Sequence, residues 1–159
     1  MWGAGVAGAP QPSSDMQQPN VSVGIRNIER FVNMKSQQRT VAESYWKAEC
    51  MRDTEKVLEH YNLDGRFVAP GWDLVGHEQI RQYYESSARQ FPGLEVNVVS
   101  DVADGDFGAV EWSAVLTSPD GGRYPIGGVN LITLRNGKFQ EVRAYFDISQ
   151  LPKAAEVDR

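Results

Sequence analysis

The chain has 159 residues, of which 41% are hydrophobic and 23% are charged, a balance typical of one globular domain rather than of a disordered chain. Sixteen Lys and Arg residues against 21 Asp and Glu residues give a net charge of -5, which argues against a nucleic-acid-binding or membrane-surface protein with a basic face. The single cysteine, Cys50, excludes an internal disulfide and the zinc sites built from paired cysteines.

The amino-terminal stretch predicts a tail. Residues 1–21 are mostly Gly, Ala, Pro, Ser and Gln, which supply little material for a core. They lack the charged and apolar stretches of a signal peptide, and no segment approaches the roughly 18 apolar residues of a membrane span. We therefore expect a disordered tail over 1–21, a domain over 22–150, a second tail over 151–159, and a cytoplasmic location.

Helical spacing of apolar residues dominates the first part of the predicted domain. It marks Ile25, Ile28, Phe31 and Val32, then Val41, Ala42, Tyr45, Trp46 and Ala48. These form one long helix or two helices broken near Lys35-Ser36. Asp53 is placed to cap a short helix with Val57, Leu58 and Tyr61 on one side. The clearest helix carries Ile80, Tyr83, Tyr84, Ser87, Ala88 and Phe91, and Pro92-Gly93 ends it.

The remaining segments have the pattern of strands. Arg66–Ala69 and Trp72–Val75 flank a Pro70-Gly71 turn, and four more strands are predicted at about 94–101, 107–117, 123–134 and 139–148. The connections between these four are short and rich in Gly, Asn, Asp and Pro, so the strands must be antiparallel neighbours.

Helices followed by a curled antiparallel meander predict an α+β domain. Val129, Asn130, Leu131 and Ile132 place apolar groups on both faces of one strand. One face is expected to pack on the helices, and the other needs a cover. A second copy of the chain is the simplest cover, so we expect a homodimer through the outer face of the sheet.

Three runs of residues suggest a family. They are Leu58–Phe67 (LEHYNLDGRF), Gly76–Tyr84 (GHEQIRQYY) and Gly137–Asp147 (GKFQEVRAYFD). Over about residues 36–148 the chain resembles the SnoaL-like branch of the nuclear-transport-factor-two-like superfamily, which includes ketosteroid isomerases, limonene-epoxide hydrolases, polyketide cyclases and non-catalytic pockets. The resemblance implies a cone in which a curved antiparallel sheet wraps the N-terminal helices and encloses an apolar cavity. Since this fold serves many activities, the cavity residues must decide the function.

Carried over to this chain, the resemblance gives a mixed set of site residues. Tyr45 matches the isomerase tyrosine that donates to the substrate oxyanion, and Asn130 falls where relatives have a second donor or a histidine. A phenol and an amide can both donate to an enolate oxygen. The bases of the relatives are missing, because Ala69 and Ala144 stand at the positions of their aspartates and alanine cannot move a proton.

Two carboxylates are candidates to replace these bases. Glu49 lies one helical turn after Tyr45, so both can face the cavity, and an apolar setting would raise the pKa of Glu49. The alternative is a solvated glutamate near the helix end. Asp73, in the short hairpin, is the second candidate, and a turn carboxylate is its commoner role. Asp147 is expected to be structural, as a strand-end carboxylate that binds backbone or arginine.

Aromatic side chains supply the expected ligand contacts. Several of them could line a cavity for a flat apolar ligand: Trp46, Trp72, Tyr83, Trp112 and Phe146. His60 and His77 have no third ligand near them in sequence, so we expect no metal. The chain contains no phosphate or dinucleotide fingerprint, and we expect no cofactor.

These observations lead to two main hypotheses about function, and a subunit that needs a partner enzyme is a third possibility that the sequence does not separate from them. The first is a cofactor-independent isomerase, cyclase or dehydratase that acts through an enol or enolate on an apolar, oxygen-bearing compound such as a polyketide, steroid or terpenoid. Tyr45 and Asn130 would hold the oxygen, and Glu49 or Asp73 would move the proton. The second is a non-catalytic ligand-binding or dimeric module with a degenerate site. A carboxylate inside the cavity would favour the enzyme.

Overall fold

The computed structural model describes residues 34–152. The tail predicted at 1–21 and the first apolar stretch, from Ile25 to Val32, lie outside the described residues, as do residues 153–159. The domain boundaries expected at 22 and 150 therefore stay predictions. Within the described range the elements alternate in a mixed α and β order, and the predicted α+β class is confirmed.

Three helices are present in the described range: α1 (Gln37–Cys50), α2 (Thr54–Leu58) and α3 (Gly76–Gln90). Ser36 caps α1, since its hydroxyl accepts a hydrogen bond from the backbone N–H of Arg39 at 3.0 Å. The helix therefore begins next to the break predicted at Lys35-Ser36. The predicted cap of α2 is confirmed, with Asp53 accepting from the N–H of Lys56 at 3.1 Å.

Six strands form one sheet: β1 (Tyr61–Ala69), β2 (Trp72–Val75), β3 (Gly93–Asp104), β4 (Phe107–Thr117), β5 (Arg123–Arg135) and β6 (Lys138–Phe146). Their order across the sheet is β2-β1-β6-β5-β4-β3. A short 3₁₀ turn, Ile148–Gln150, follows β6.

One pairing corrects the sequence prediction. The meander β3–β6 is antiparallel as expected, but β1 pairs with β6 in parallel, so the sheet is mixed. Tyr61, expected on one side of the short helix, instead begins β1 and pairs with Phe139. This contact joins residues far apart in the sequence, and local helical spacing carries no information about it.

The helices cover the inner face of the sheet and form the core with it. On β5, Asn130 is buried opposite Ala144 of β6 and Val110 of β4, while the neighbouring Val129 and its partner Tyr145 lie on the other face. This alternation decides which side chains reach the core. The amino terminus of α1 is tied to β3, because Asp101 accepts from the backbone N–H of Ser36 and from the guanidinium of Arg39, both at 3.1 Å.

Candidate active site

A cavity of about 210 Å³ lies between α1, α3 and the inner face of the sheet. All five aromatic residues expected to contact a ligand line it: Trp46, Trp72, Tyr83, Trp112 and Phe146. Trp72 is 49% exposed, whereas Trp46 and Trp112 are buried. The cavity thus has aromatic walls, which suit a flat apolar molecule.

Three of the four predicted catalytic residues line the same cavity: Tyr45, Glu49 and Asn130. Tyr45 and Glu49 come from successive turns of α1, and Asn130 comes from the opposite wall on β5. Helical spacing of four residues and strand alternation are sufficient to bring these groups to one space. Polar groups are therefore present on two walls of the cavity, and Ser86, Ser87 and Gln90 of α3 add further polar groups to its lining.

The fourth predicted residue, Asp73, lies outside this cavity. Strand β2 directs Trp72 toward the cavity and Asp73 to the opposite side, where both of its carboxylate oxygens accept from Arg66, at 2.8 and 2.7 Å. Hydrogen bonds from Arg66 lower the pKa of Asp73. Asp73 is thus an exposed ion-pair partner and is not placed to move a proton in the cavity.

Tyr45 belongs to a chain of three buried phenols that the sequence did not reveal. The Tyr84 hydroxyl lies 2.6 Å from the Tyr45 hydroxyl and 3.1 Å from the Tyr61 hydroxyl. Tyr84 comes from α3 and Tyr61 from β1, so three elements converge on this chain. A signal for Tyr84 was available, because it lies on the buried stripe of α3 and a buried phenol requires a partner.

Burial keeps the three phenols protonated. It raises the pKa of Tyr45 and Tyr84 well above the ordinary value of a tyrosine, and the nearby Glu49 raises the pKa of Tyr45 further. The pKa of Tyr61 is also raised by burial. A protonated phenol can donate to a ligand oxygen, and Tyr84 is placed to support Tyr45 as it does so.

Glu49 is the carboxylate of the cavity. Its side chain is 15% exposed, and its nearest cation is Arg52, with 3.9 Å between guanidinium nitrogen and carboxylate oxygen. Burial raises the pKa of Glu49, while Tyr45 and Arg52 oppose the shift. A carboxyl group with little exposure and a raised pKa suits proton transfer. Glu49 thus lines the cavity and is mostly withdrawn from solvent.

Asn130 is fixed by a neighbour on the next strand. The indole N–H of Trp112 donates to its amide oxygen at 2.9 Å. Asn130 is 5% exposed, and no hydrogen bond of its amide nitrogen to another described residue is present. The amide can therefore offer its N–H groups to a ligand.

The alanines expected at the positions of the relatives' acids are both buried. Ala144 lines the cavity and pairs across the sheet with Asn130. Ala69 is 5% exposed at the end of β1. Asp147 caps the 3₁₀ turn by accepting from the backbone N–H of Ser149 at 2.9 Å, which confirms its structural role.

The two histidines are engaged in structural hydrogen bonds. His60 bridges the Lys56 carbonyl and the Ser44 hydroxyl, both at 2.8 Å, and His77 lies 3.0 Å from the Tyr61 carbonyl oxygen. Over residues 34–152, no cluster of three or more His, Cys, Asp or Glu side chains could hold a metal ion. In the same range, no helix is long and apolar enough to cross a membrane.

The helices, the six-stranded mixed sheet and the cavity between them define the fold class. The model of the SnoaL-like domain matches residues 42–142, and the chain belongs to the SnoaL-like family. No protein of established, curated function matches the sequence. The family expected from the sequence is therefore confirmed, whereas the specific activity has to be argued from the cavity.

Solved structures support the same fold. A putative SnoaL-like polyketide cyclase from Jannaschia sp. CCS1 is 19% identical, with a TM-score of 0.66 over 80% of this chain and 99% of that one. TerC, co-crystallised with polyporic acid, is 21% identical, with a TM-score of 0.64 over 72% and 94%. A hypothetical protein with a ketosteroid isomerase-like fold from Catenulispora acidiphila DSM 44928, in complex with trimethylamine, is 14% identical, with a TM-score of 0.65 over 70% of this chain and 88% of that one. These likenesses confirm the cone-like fold, with a sheet that is mixed.

Proposed function

We propose that this chain is a cofactor-independent isomerase or lyase, of the cyclase or dehydratase kind, that moves a proton on an apolar ketone through its enolate. The observation that supports this proposal is the position of Glu49. It is a carboxyl group on a side chain that is 15% exposed, and it lies in the cavity one helical turn from Tyr45. Alanines replace the acids of the relatives, and Glu49 is the substitute that the cavity offers.

The proposed reaction divides the work among three side chains. Glu49 as carboxylate removes a proton from the carbon next to the ketone, and the bonding pair moves to form the enolate. Tyr45 and Asn130 donate hydrogen bonds to the enolate oxygen, which lowers the energy of the charge that develops there. Glu49 then returns the proton at another carbon, or protonates a hydroxyl that leaves as water.

The lining of the cavity indicates the class of ligand. Trp46, Trp112 and Phe146 form apolar walls, and polar side chains of α1, α3 and β5 line the same cavity. A planar compound with a carbonyl group, such as an aromatic polyketide, a steroid or a terpenoid, matches this distribution. The neighbour TerC was co-crystallised with polyporic acid, which is consistent with a ligand of this kind.

Native mass spectrometry of the purified protein, followed by incubation of the ligand, tests the proposal. We expect an apolar oxygenated compound in the cavity that is converted to an isomer or loses water, and we expect Glu49→Gln to retain the ligand unchanged. A ligand that wild type and Glu49→Gln both leave unaltered would favour the second candidate, a non-catalytic binder. The buried Ala144 in the cavity wall supports that candidate.

We also propose that the outer face of the sheet pairs with a second copy of the chain. Val102 and Tyr145 are 71% and 55% exposed there, and Val129 and Leu131 are half-buried on the same face. Covering these groups would remove apolar surface from water. Light scattering should give a dimer, and Tyr145→Glu should give a monomer with an intact fold. A monomeric wild type at micromolar concentration would contradict the proposal.

The proposed location is the cytoplasm. A single cysteine, Cys50, that is free in the structure agrees with a reducing compartment. Fractionation of the native host, with detection of the protein, tests this location.

A further inference from the structure

The hydrogen bond between Trp112 and Asn130 has a fixed direction. An indole N–H is a donor and never an acceptor, so the atom 2.9 Å from Trp112 Nε1 must be the amide oxygen of Asn130. The usual ambiguity between the two ends of an asparagine amide is thereby removed by chemistry. The nitrogen of the same amide must point away from Trp112.

The nitrogen of Asn130 remains accessible to the cavity. Asn130 lines the cavity, although the residue is 5% exposed overall. Among residues 34–152, two side-chain nitrogen atoms are sealed from solvent and lack a hydrogen-bond partner: Nε of Arg52 and Nε of Arg143. The amide nitrogen of Asn130 also lacks a partner among these residues, but it is not sealed in this way. It is therefore a free hydrogen-bond donor in the cavity wall.

The packing around Trp112 holds the indole in this position. Trp112 lies on β4 opposite Gly128 of β5, two residues from Asn130 along the same strand. A Cβ atom at Gly128 would lie 2.6 Å from the Cζ2 atom of the Trp112 ring. The indole of Trp112 also contacts the rings of Trp46 and Phe146, whose centroids lie 6.4 and 5.9 Å from its own. The indole therefore has little freedom to release the amide.

We infer that Trp112 is a positioning residue that sets the hydrogen-bonding polarity of the cavity. By holding the oxygen of Asn130, it presents the amide to the ligand as a donor and selects ligands with an acceptor oxygen over ligands with a donor at that point. The inference rests on the proposed function, in which the cavity binds an oxygenated apolar molecule.

Two small planar probes test this polarity: indanone, which offers a carbonyl acceptor, and indole, which offers an N–H donor. Trp112→Phe keeps an aromatic ring and removes the N–H group, so the amide of Asn130 can rotate and offer its oxygen. We expect the ratio of the indole to the indanone dissociation constant to fall about three- to tenfold, the range of one neutral hydrogen bond. Titrations followed by protein NMR measure both constants.

Matched variants distinguish the effect of losing the indole N–H group from the effect of losing ring volume. Trp46→Phe makes the same reduction on the helix wall of the cavity, where its ring contacts Trp112 but makes no hydrogen bond to the amide of Asn130, and it is expected to leave the ratio unchanged. In an Asn130→Leu background, Trp112→Phe should also leave the ratio unchanged, because the group that Trp112 positions is gone. Where Trp112→Phe does not fold, benzothienylalanine at position 112 replaces the N–H with sulfur in an indole-sized ring and gives the same test.

The outcomes distinguish this inference from the proposed function. A ratio that falls with Trp112→Phe and not with Trp46→Phe supports the inference. If both probes bind and the ratio is the same in wild type and Trp112→Phe, the inference is wrong and the proposed function stands. If neither probe binds to the wild type, both are overturned, because the cavity does not accept small planar molecules.

Discussion

The hydroxyl groups of Tyr45 and Tyr84 lie 2.6 Å apart in the core, on helices α1 and α3. Tyr84 has a second phenol partner in Tyr61, so it can accept from one phenol and donate to the other. This arrangement allows Tyr45 to turn its own proton toward a ligand oxygen while its oxygen stays hydrogen-bonded.

The first prediction concerns Tyr45 as a hydrogen-bond donor to the enolate oxygen, and Tyr84 as its support. Tyr45→Phe should reduce turnover of a ketone substrate by about a hundredfold or more, the usual effect of removing one oxyanion donor. Tyr84→Phe should have a smaller effect in the same direction, because Tyr84 acts through Tyr45. Steady-state kinetics measure both values. Turnover by Tyr45→Phe close to that of wild type would remove Tyr45 from the proposed reaction.

The second prediction concerns the two candidate carboxylates. Glu49→Gln should abolish turnover, since an amide cannot accept the proton, whereas Asp73→Asn should leave turnover near the wild-type value. Asp73 is bound to Arg66 outside the cavity, and it serves as the matched control. The pair of variants is compared with the same ketone at the same pH. Equal losses in the two variants would contradict the assignment of the base.

The third prediction is the pH dependence of stability. The folded-state pKa of Glu49 is raised by burial, so the native state holds a proton that the unfolded state has released. Stability should therefore fall as pH rises from the ordinary glutamate pKa of 4.5 through the raised pKa of the folded state. Glu49→Gln should remove this fall. Urea unfolding between about pH 5 and pH 8 measures the slope.

Glu43 provides the control of opposite sign on the same helix. Hydrogen bonds from Lys35 and Arg39 lower its pKa, so its contribution is present above the unfolded pKa and is lost as pH falls through the folded pKa. Glu43→Gln should thus reduce stability at neutral pH relative to acid pH. If Glu49→Gln and Glu43→Gln changed the pH dependence of stability in the same direction, the opposite pKa shifts of the two carboxyl groups would be contradicted.

The fourth prediction compares two neighbouring glycines of β5. A Cβ atom at Gly128 would lie 2.5 Å from the Tyr145 carbonyl oxygen and 2.6 Å from the Trp112 ring, whereas one at Gly127 would have its nearest neighbour at 3.5 Å. Gly128→Ala should cost about 1–3 kcal/mol of stability through overpacking, and Gly127→Ala should cost much less. Urea denaturation of the two variants decides. Equal stability of both would contradict the close packing over Gly128.

The local features of the fold could be predicted from the sequence. Ser36 and Asp53 have the chemistry of helix caps, Pro92-Gly93 ends α3, and short turns impose antiparallel pairing on β3–β6. The parallel pairing of β1 with β6 could not be predicted in this way. It brings Phe67 next to Val142, and contacts at that sequence separation are set by the packing of the whole sheet.

In the candidate site, too, the features set by local spacing could be predicted from the sequence, and the features set by contacts between strands could not. Tyr45 and Glu49 follow from helical spacing, but the polarity of Asn130 depends on Trp112 of a neighbouring strand, which spacing cannot reveal. The position of Asp73 in a short hairpin predicts a residue near the cavity mouth, but the structure directs its side chain to Arg66. Alternation along β2, with Trp72 directed toward the cavity, would have excluded it, because successive side chains of a strand point to opposite faces.

The most direct measurement is proton exchange on a ketone that fits the cavity. With α-tetralone in deuterated water, the wild-type protein should speed the uptake of deuterium at the carbon next to the carbonyl, and Glu49→Gln should reduce this uptake to the rate in buffer. Mass spectrometry of the recovered ketone measures the exchange. Uptake at the buffer rate with the wild type, or undiminished uptake with Glu49→Gln, would contradict the account of Glu49 as the base.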